Sequence, residues 1–541
     1  MNTDLRQQKF LIIDDFASFR SSVVSLLQSL GIERTNIDTA SNGETALQAI
    51  KNNHYDIILS DYNLGDDSKD GQQILEEAKD AGLIGLATIY IMITAENARH
   101  MVMSAIEYRP DSYFVKPLNR DACKKRLETL LIQKAELTVI DEYLESGNYN
   151  QAIAECNRKL AKNPPNMITL IKTLGTLYMK FEDYQSAAKV YEKILNTRRL
   201  PWALLELGKI HRHQGQNDTA RALFEEALRE DETYIQAYDQ LAKIYTLEED
   251  MDTALELLQK AVNLSPKVVI RQQNLAALSM KMDKLDIAEK AFSSCIRWGK
   301  HSKFKAASDF TGLSKIYLAK KTPRKALPIL KEARRAFYGQ PQQILQTALA
   351  EVSLQKRLEQ PELAQKSLNE AAILYATEQD KLPIDLCLEM ANAYLHMGQT
   401  DKSDEIFLNL IKNNHEDETL ANQIKEMTSN HDLDNHTINQ KIDDIRIELI
   451  TLNNRGVKRF KQGHHQQAIE ILEDVVLRYP NNPIINRNLA QAMVTTMEEH
   501  GIEPNMMKKA NTCLQKAKKH AQHDKKLFVL QEKLNMLRFE L

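Results

Sequence analysis

The sequence predicts an α/β domain with a doubly wound, five-stranded parallel sheet, followed by an all-α superhelical solenoid. Three observations support this fold class. The chain has 541 residues, which is more than one domain usually holds. Short apolar runs that end on polar residues occupy about the first 120 residues, as expected for buried parallel strands. From about residue 136, apolar residues recur at helical spacing and small residues return roughly every 34 positions.

Polar side chains stand where the apolar runs of the first domain end. Asp14 and Asp15 follow the first run, and Asp61 ends a later one. Thr94 and Lys116 end two further runs. Because the carboxyl ends of parallel strands meet at one crevice, we expect these side chains to lie together. Clustered carboxylates repel unless a cation lies between them, and Mg²⁺ suits oxygen ligands and phosphate. An aspartate beside Mg²⁺ can attack a phosphoryl group.

These residues resemble the receiver domain of two-component response regulators, over residues 1 to about 125. The resemblance implies a flavodoxin-like fold in which Asp61 is the phosphoacceptor. It implies that Asp15 and Asp61 bind Mg²⁺ directly and that Asp14 helps through water. The main-chain carbonyl of Asn63 completes the implied metal site.

The resemblance also assigns residues around the phosphoryl group. Lys116 would pair with the phosphoryl oxygens, Thr94 would be the switch hydroxyl, and Tyr113 the switch aromatic. The segment after the acceptor departs from the family, because it is longer, lacks the usual proline and adds Asp66 and Asp67. We expect these acids to slow phosphate attack or to tune metal affinity, so the lifetime of the acyl phosphate stays open.

Composition restricts the other function classes. The net charge is −3, so the whole protein has no overall attraction to polyanions. The N-terminus has no apolar signal core, and no run reaches the roughly 18 apolar residues of a membrane span. The cysteines form no CxxC pair or Cys-His cluster and indicate reduced thiols. We therefore expect a cytoplasmic protein without membrane insertion, and the resemblance to two-component response regulators implies a bacterial one.

Small residues mark the repeats of the second region. Successive alanines are separated by 35, 33, 34 and 34 residues, and then by 38 and 38. The small side chains should allow close helix approach, with aromatic residues filling the gaps. The pattern resembles the tetratricopeptide repeat (TPR), which has two antiparallel helices in about 34 residues. The alanines are Ala152, Ala187, Ala220, Ala254, Ala288, Ala326, Ala364 and, later, Ala468.

The patterns also define boundaries. One helix is predicted from Arg120 to Glu136, so a fairly stiff element would connect the two domains and let a phosphorylation-driven shift reach the repeats. Whether the solenoid is one piece or two stays open. The predicted segments are a receiver over 1–125, a connecting helix over 126–136, TPR repeats over 137–415, a polar hinge or loop over 416–448 that leads into a new helix near residue 437, and further TPR-like helices with a C-terminal cap over 449–541.

Basic residues suggest how the repeats bind. Solenoids of this type hold peptides or helices in a concave groove. Lys172, Lys209, Arg212 and Lys243 fall at inward positions, which suggests an acidic peptide partner, although a solvated face gives the same pattern. Residues 501–541 hold nine Lys or Arg against four acids, with an apolar stripe. This favours a capping helix with a basic outer face over a nucleic-acid contact.

The sequence favours an interaction protein, a response regulator phosphorylated on Asp61 by a sensor histidine kinase, whose repeats bind an unidentified protein. Two alternatives stay open. The chain would be a kinase-binding inhibitor or phosphate sink that regulates another response regulator, or a nucleic-acid-binding regulator that uses its basic C-terminus. We expect no enzyme activity beyond slow self-dephosphorylation, and a homodimer is compatible with both domain types. Trp202 and Trp298 both fall in the repeats, so we expect no tryptophan reporter at the acidic pocket.

Overall fold

The computed structural model describes residues 4–65, 69–95, 110–162, 164, 166–429, 435–520 and 525–539. The chain divides into two compact units, Met1–Asp309 and Phe310–Leu541. Asp66 and Asp67, the extra acids of the segment after Asp61, lie outside the described residues. No helix in the described part of the chain is both long and apolar enough to cross a bilayer.

A five-stranded parallel sheet forms the N-terminal domain, as predicted. The strand order is β2-β1-β3-β4-β5. Three strands, β1, β3 and β4, are buried along their whole length, which explains why the sequence shows unbroken apolar runs rather than alternation. The strands are β1 (Phe10–Ile13), β2 (Ile37–Ala40), β3 (Ile57–Asp61), β4 (Ile89–Thr94) and β5 (Ser112–Val115).

Helices cover both faces of this sheet. On one face, α1 and α4 pack through residues such as Leu27 and Leu127. On the other, α2 and α3 pack through residues such as Ile50 and Ile74. Both α2 and α3 begin with a capping box, which fixes where each helix starts. The helices are α1 (Ala17–Ser29), α2 (Gly43–Asn52), α3 (Gly71–Asp80) and α4 (Arg120–Ala135).

Helix α4 also makes the connection to the repeats. It ends at Ala135, one residue before the predicted end, and the first repeat helix begins at Thr138. Leu127, Leu130 and Leu131 are buried in the core beneath the sheet. The predicted connecting helix is therefore the last part of α4, anchored in the receiver domain.

Ten helices described in the first unit follow as hairpins joined by short turns. Each helix packs against its neighbour in the chain. They are α5 (Thr138–Glu145), α6 (Tyr149–Leu160), α7 (Met167–Lys180), α8 (Tyr184–Leu195), α9 (Pro201–His213), α10 (Asn217–Glu230), α11 (Ile235–Leu247), α12 (Met251–Leu264), α13 (Val269–Lys281) and α14 (Leu285–Gly299).

Small residues bring the helices of each hairpin together, as the spacing predicted. All eight alanines of the repeat pattern are fully buried. A Cβ atom at Gly175 would lie 2.1 Å from the hydroxyl oxygen of Tyr191. A Cβ atom at Gly208 would lie 2.4 Å from the ring of Phe224. Only glycine therefore fits beneath these two aromatic rings.

The helical array continues into the second unit. Its helices are α15 (Ala307–Ala319), which contains the boundary between the units, α16 (Ala326–Ala336), α17 (Pro341–Arg357), α18 (Pro361–Glu378), α19 (Ile384–His396), α20 (Thr400–Asn413), α21 (Glu418–Ser429), α22 (Asn435–Lys461), α23 (His465–Arg478), α24 (Pro483–His500), α25 (Pro504–His520) and α26 (Lys525–Phe539).

Within 416–448, the prediction of a new helix near residue 437 is confirmed, because α22 begins at Asn435, but the prediction of a polar hinge or loop before it is wrong for 418–429, which form α21. Residues 430–434 between the two helices lie outside the described residues. Leu420 and Ile424 of α21, and Ile438 and Ile442 of α22, are buried in one core. These apolar residues have helical spacing, but many polar neighbours conceal the stripe in the sequence.

The last described helix, α26, caps the array. Leu530, Leu534 and Leu537 form the predicted apolar stripe and are buried against α24 and α25. Leu541, the last residue of that stripe, lies outside the described residues.

Candidate functional site

Three carboxylates lie together at the carboxyl ends of β1 and β3. The two strands pair with Ile13 opposite Ser60, so the residues that follow, Asp14 and Asp61, reach the same edge of the sheet. One carboxylate oxygen from each of Asp14, Asp15 and Asp61 lies within 4.8 Å of the others. Asp14 is fully buried and Asp61 is 6% exposed, whereas Asp15 is exposed. The acidic cluster therefore opens to solvent on the Asp15 side.

Lys116 places an ammonium group against this cluster. Its Nζ lies 2.7 Å from Asp14 Oδ2 and 2.8 Å from Asp61 Oδ2. The ring of Phe19 lies beneath the ammonium, with its centre 4.1 Å from Nζ. The Lys116 side chain is therefore held between two carboxylates and an aromatic face, where it can neutralise charge that develops on Asp61.

Burial and charge act in opposite directions on the pKa values of the pair. Burial raises the pKa of Asp61 to about 6, although the hydrogen bond and the positive charge of Lys116 oppose this and the negative charge of Asp14 adds to it. Burial also acts to lower the pKa of Lys116, but hydrogen bonds to Asp14 and Asp61 outweigh it, and the pKa is raised. Lys116 therefore stays charged, while Asp61 binds a proton more readily than an exposed aspartate does.

The other predicted receiver residues lie around this edge. Thr94 ends β4 and is 1% exposed, and its hydroxyl donates to the Ala95 carbonyl at 3.1 Å. The Lys116 amide donates to the Thr94 carbonyl at 3.0 Å, which holds β4 and β5 together at the site. Tyr113 is half-buried on β5 and packs against the core beneath α3. Asn63 is exposed two residues after Asp61.

The four predicted groove residues lie on the first helices of successive hairpins. Lys172 is exposed on α7, with its Nζ 4.7 Å from the centre of the Trp202 ring. Lys209 and Arg212 are half-buried on α9, and Lys243 is exposed on α11. Lys209 forms a 2.8 Å ion pair within its own helix. Of the four, Lys172 is the one that lines a cleft against the receiver.

The receiver rests on the first helices of the repeats, which the sequence did not predict. The amide of Ala87, just before β4, donates to the Asp141 carboxylate of α5 at 2.9 Å. Lys134 donates to the Leu86 carbonyl at 2.7 Å. A cleft of about 400 Å³ lies beside these contacts. Its lining includes Lys79, Lys134, Lys172, Trp202 and Glu206. A Cβ atom at Gly85 would collide with Asp141, but a single glycine gives no signal in the sequence.

The tertiary structure also brings Trp298 close to the residue after the acceptor. Lys267 Nζ lies 4.9 Å from the centre of the Trp298 ring and 5.6 Å from the centre of the Tyr62 ring. Tyr62 is adjacent to Asp61 in the chain. The expectation of no tryptophan reporter concerned the acidic pocket itself and stays a prediction; the structure adds that Trp298, from a segment distant in the sequence, lies near the residue that follows the acceptor.

Comparison with known proteins identifies the N-terminal domain. Residues 10–128 match the response regulator receiver domain. The chemotaxis protein CheY-3 of Vibrio cholerae is 32% identical over 126 residues, which are 23% of this chain and 92% of that protein. The chain belongs to the response regulator receiver family. The chain is also 31% identical to the chemotaxis protein CheY of Pseudomonas aeruginosa over 123 residues, which are 23% of this chain and 94% of that protein.

Parts of the rest of the chain match tetratricopeptide repeats, as predicted. The matches cover residues 172–235, 235–268 and 457–482. Among solved structures, the C-terminal part of a TPR repeat-containing protein from Cytophaga hutchinsonii is 15% identical, with a TM-score of 0.37. That similarity covers 44% of this chain and 96% of the other. By the family matches, the chain has a receiver domain followed by TPR repeats.

Proposed function

We propose that this response regulator accepts a phosphoryl group on Asp61 from a sensor histidine kinase and that its repeats bind a protein partner. The position of the Asp61 carboxylate supports this proposal most directly. It lies 2.8 Å from the Lys116 ammonium and beside two further carboxylates, at the edge of the sheet where ligands bind. The similarity to response regulator receivers supports the same assignment.

The donor atoms fit a magnesium ion. Asp14, Asp15 and Asp61 offer carboxylate oxygens within 4.8 Å of one another. One ammonium group balances only one of these three charges, so the cluster retains an excess negative charge that a divalent cation would neutralise. Oxygen-only ligands suit Mg²⁺, which also keeps room for water and phosphate oxygens. We propose that these three residues hold Mg²⁺, which would lower the charge repulsion between Asp61 and a phosphoryl donor.

Phosphoryl transfer to Asp61 exchanges one bond to phosphorus for another. An Asp61 carboxylate oxygen forms a bond to phosphorus, and the bond from phosphorus to the imidazole nitrogen of the kinase phosphohistidine breaks. The leaving imidazole then takes up a proton from water. Lys116 already contacts Asp61 and would turn its ammonium to the phosphoryl oxygens. Hydrolysis of this acyl phosphate is the only turnover that we propose.

Intact-protein mass spectrometry would test the proposal. We expect acetyl phosphate with Mg²⁺ to add about 80 Da, and we expect hydroxylamine to remove it because it cleaves acyl phosphates. Asp61→Asn should abolish the addition. Asp121→Asn, which changes an exposed aspartate at the start of α4, is the matched control and should label normally. Labelling of Asp61→Asn at the normal level would overturn the proposal.

A further inference from the structure

The start of helix α3 is fixed to the backbone of the acceptor. The Gly71 amide donates to the Tyr62 carbonyl at 3.0 Å, and the Tyr90 hydroxyl donates to the Gly71 carbonyl at 2.9 Å. A Cβ atom at Gly71 would lie 2.2 Å from the Asp61 carbonyl oxygen, so the helix and the end of β3 touch. A backbone shift at Asp61 must therefore move the first turn of α3.

The same helix contacts the repeats near both ends. At its start, the Gln73 side-chain amide donates to the Trp298 carbonyl at 3.3 Å. The carbonyl oxygen of the same Gln73 amide group accepts from the Asp70 amide in the capping box at 3.1 Å, so one side chain connects the helix start to α14. At its end, Asp80 forms an ion pair with Lys303. Helix α3 is thus held between the acceptor and the repeats.

Lys267, just before α13, adds a charged contact. Its ammonium lies between the Tyr62 and Trp298 rings, 5.6 Å from the first ring centre and 4.9 Å from the second. Burial raises the pKa of Asp70, the cap of α3, and the charge of Lys267 opposes that rise. The ammonium thus acts on Tyr62, which follows the acceptor, and on Asp70, which caps α3. We call Lys267, Trp298 and Lys303 the α3 contact surface.

We propose that helix α3 transmits the phosphorylation state of Asp61 to the repeats through the α3 contact surface. The proposal rests on the proposed phosphorylation of Asp61. These contacts join α3 to the repeats by a hydrogen bond and an ion pair, so a displacement of α3 away from the repeats breaks them. We expect phosphorylation to displace α3 in this way and so to weaken the α3 contact surface.

Coupling of this kind is reciprocal. If phosphorylation weakens the α3 contact surface, loss of that surface must favour the phosphorylated form by the same factor. Removing the two ammonium groups, in Lys267→Met with Lys303→Met, should raise the affinity for beryllofluoride about fivefold or more. Lys260→Met, on the exposed face of α12, removes one lysine from the repeats away from α3 and should leave the affinity unchanged.

Trp298 provides a direct reporter in the full chain. With Trp202→Phe, Trp298 is the only remaining tryptophan. Beryllofluoride with Mg²⁺ should change its emission, because the Lys267 ammonium leaves the ring. Lys267→Met with Lys303→Met, combined with Trp202→Phe, should show the altered Trp298 emission before beryllofluoride is added. Adding beryllofluoride with Mg²⁺ should then cause no further change in that emission. Hydrogen exchange of residues 71–80 and 298–303 in the unaltered sequence should increase on phosphorylation, which tests the proposal without any substitution.

The outcomes separate this inference from the proposed function. Mass spectrometry of the same samples reports the acyl phosphate on Asp61 independently. If no acyl phosphate forms, the proposed function fails and takes this inference with it. If it forms while Trp298 emission and exchange at 71–80 and 298–303 stay constant, the inference alone is overturned. A beryllofluoride affinity equal to that of the parent in the double lysine variant would also overturn it.

Discussion

Replacement of Asp61 by asparagine should stabilise the receiver at neutral pH in the absence of metal. Burial raises the pKa of Asp61 from its ordinary value of 3.8 to about 6. Each pKa unit corresponds to about 1.4 kcal/mol, so the ionised carboxylate costs roughly 3 kcal/mol of folding free energy at pH 7.5. Asparagine has a similar shape and no charge, so Asp61→Asn removes this cost.

The dependence on pH has a definite sign. Because the folded pKa is raised, the folded state binds more protons than the unfolded state between about pH 4 and 6. Stability of the unaltered protein should therefore fall as pH rises through this window. The advantage of Asp61→Asn should shrink from about 3 kcal/mol at pH 7.5 to about half of that at pH 5, and it should nearly vanish at pH 4.

Native-state hydrogen exchange of the β1 and β3 amides is the appropriate assay, because it reports the receiver alone in a chain with two units. Measurements in EDTA at pH 7.5 and 5 give the free energies, and Asp121→Asn is the control that should match the unaltered protein. Adding Mg²⁺ should stabilise the unaltered protein and leave Asp61→Asn nearly unchanged. The raised pKa of Asp61 would be refuted if Asp61→Asn and the unaltered protein had the same free energy of unfolding at pH 7.5. It would also be refuted if the difference between them were the same at pH 7.5 and pH 5.

Three further predictions follow from particular contacts. Protons and metal compete for Asp61, so calorimetry should show Mg²⁺ affinity about tenfold weaker at pH 5 than at pH 7; equal affinities would contradict the raised pKa. Gly208→Ala should destabilise the repeats by about 1–3 kcal/mol in chemical denaturation because its Cβ overlaps an aromatic ring. A Cβ atom at Gly299 would lie 3.7 Å from its nearest neighbour, so Gly299→Ala should lower the free energy of unfolding by less than about half as much. Arg271→Met should cost about 3 kcal/mol by leaving Asp239 without its buried partner, and Asp239→Leu in the same chain should restore most of the loss. An unrestored double variant would contradict this account.

The acidic site was predictable because its geometry follows from local pattern. Strands buried on both faces give unbroken apolar runs, and parallel pairing puts their carboxyl ends at one edge. Once β1 and β3 pair in the observed register, Asp14 and Asp61 lie side by side at that edge. The sequence could not supply the pKa of Asp61, which depends on how completely the surrounding helices exclude water.

The repeat region was predictable where its signal was periodic. Buried alanines such as Ala187 and Ala220 return at nearly constant spacing, because each helix pair repeats the same close approach. The prediction of a polar hinge or loop failed at 418–429, where Leu420 and Ile424 form a helical stripe within a polar composition. The prediction relied on the polar composition of this segment, whereas the spacing of its few apolar residues correctly indicated a helix.

The sequence by itself determined the two folds, the acidic cluster and the small residues between repeat helices. Buried parallel strands and close helix pairs leave regular patterns in the sequence, and parallel pairing brings the polar ends of the strands to one edge. Only the tertiary structure decided that the receiver rests on the repeats. The contact of Lys267 with Tyr62 and Trp298 joins segments far apart in the chain. Such a contact has no period and no required spacing, since it arises from the shapes and charges of two surfaces that exist only after each domain has folded.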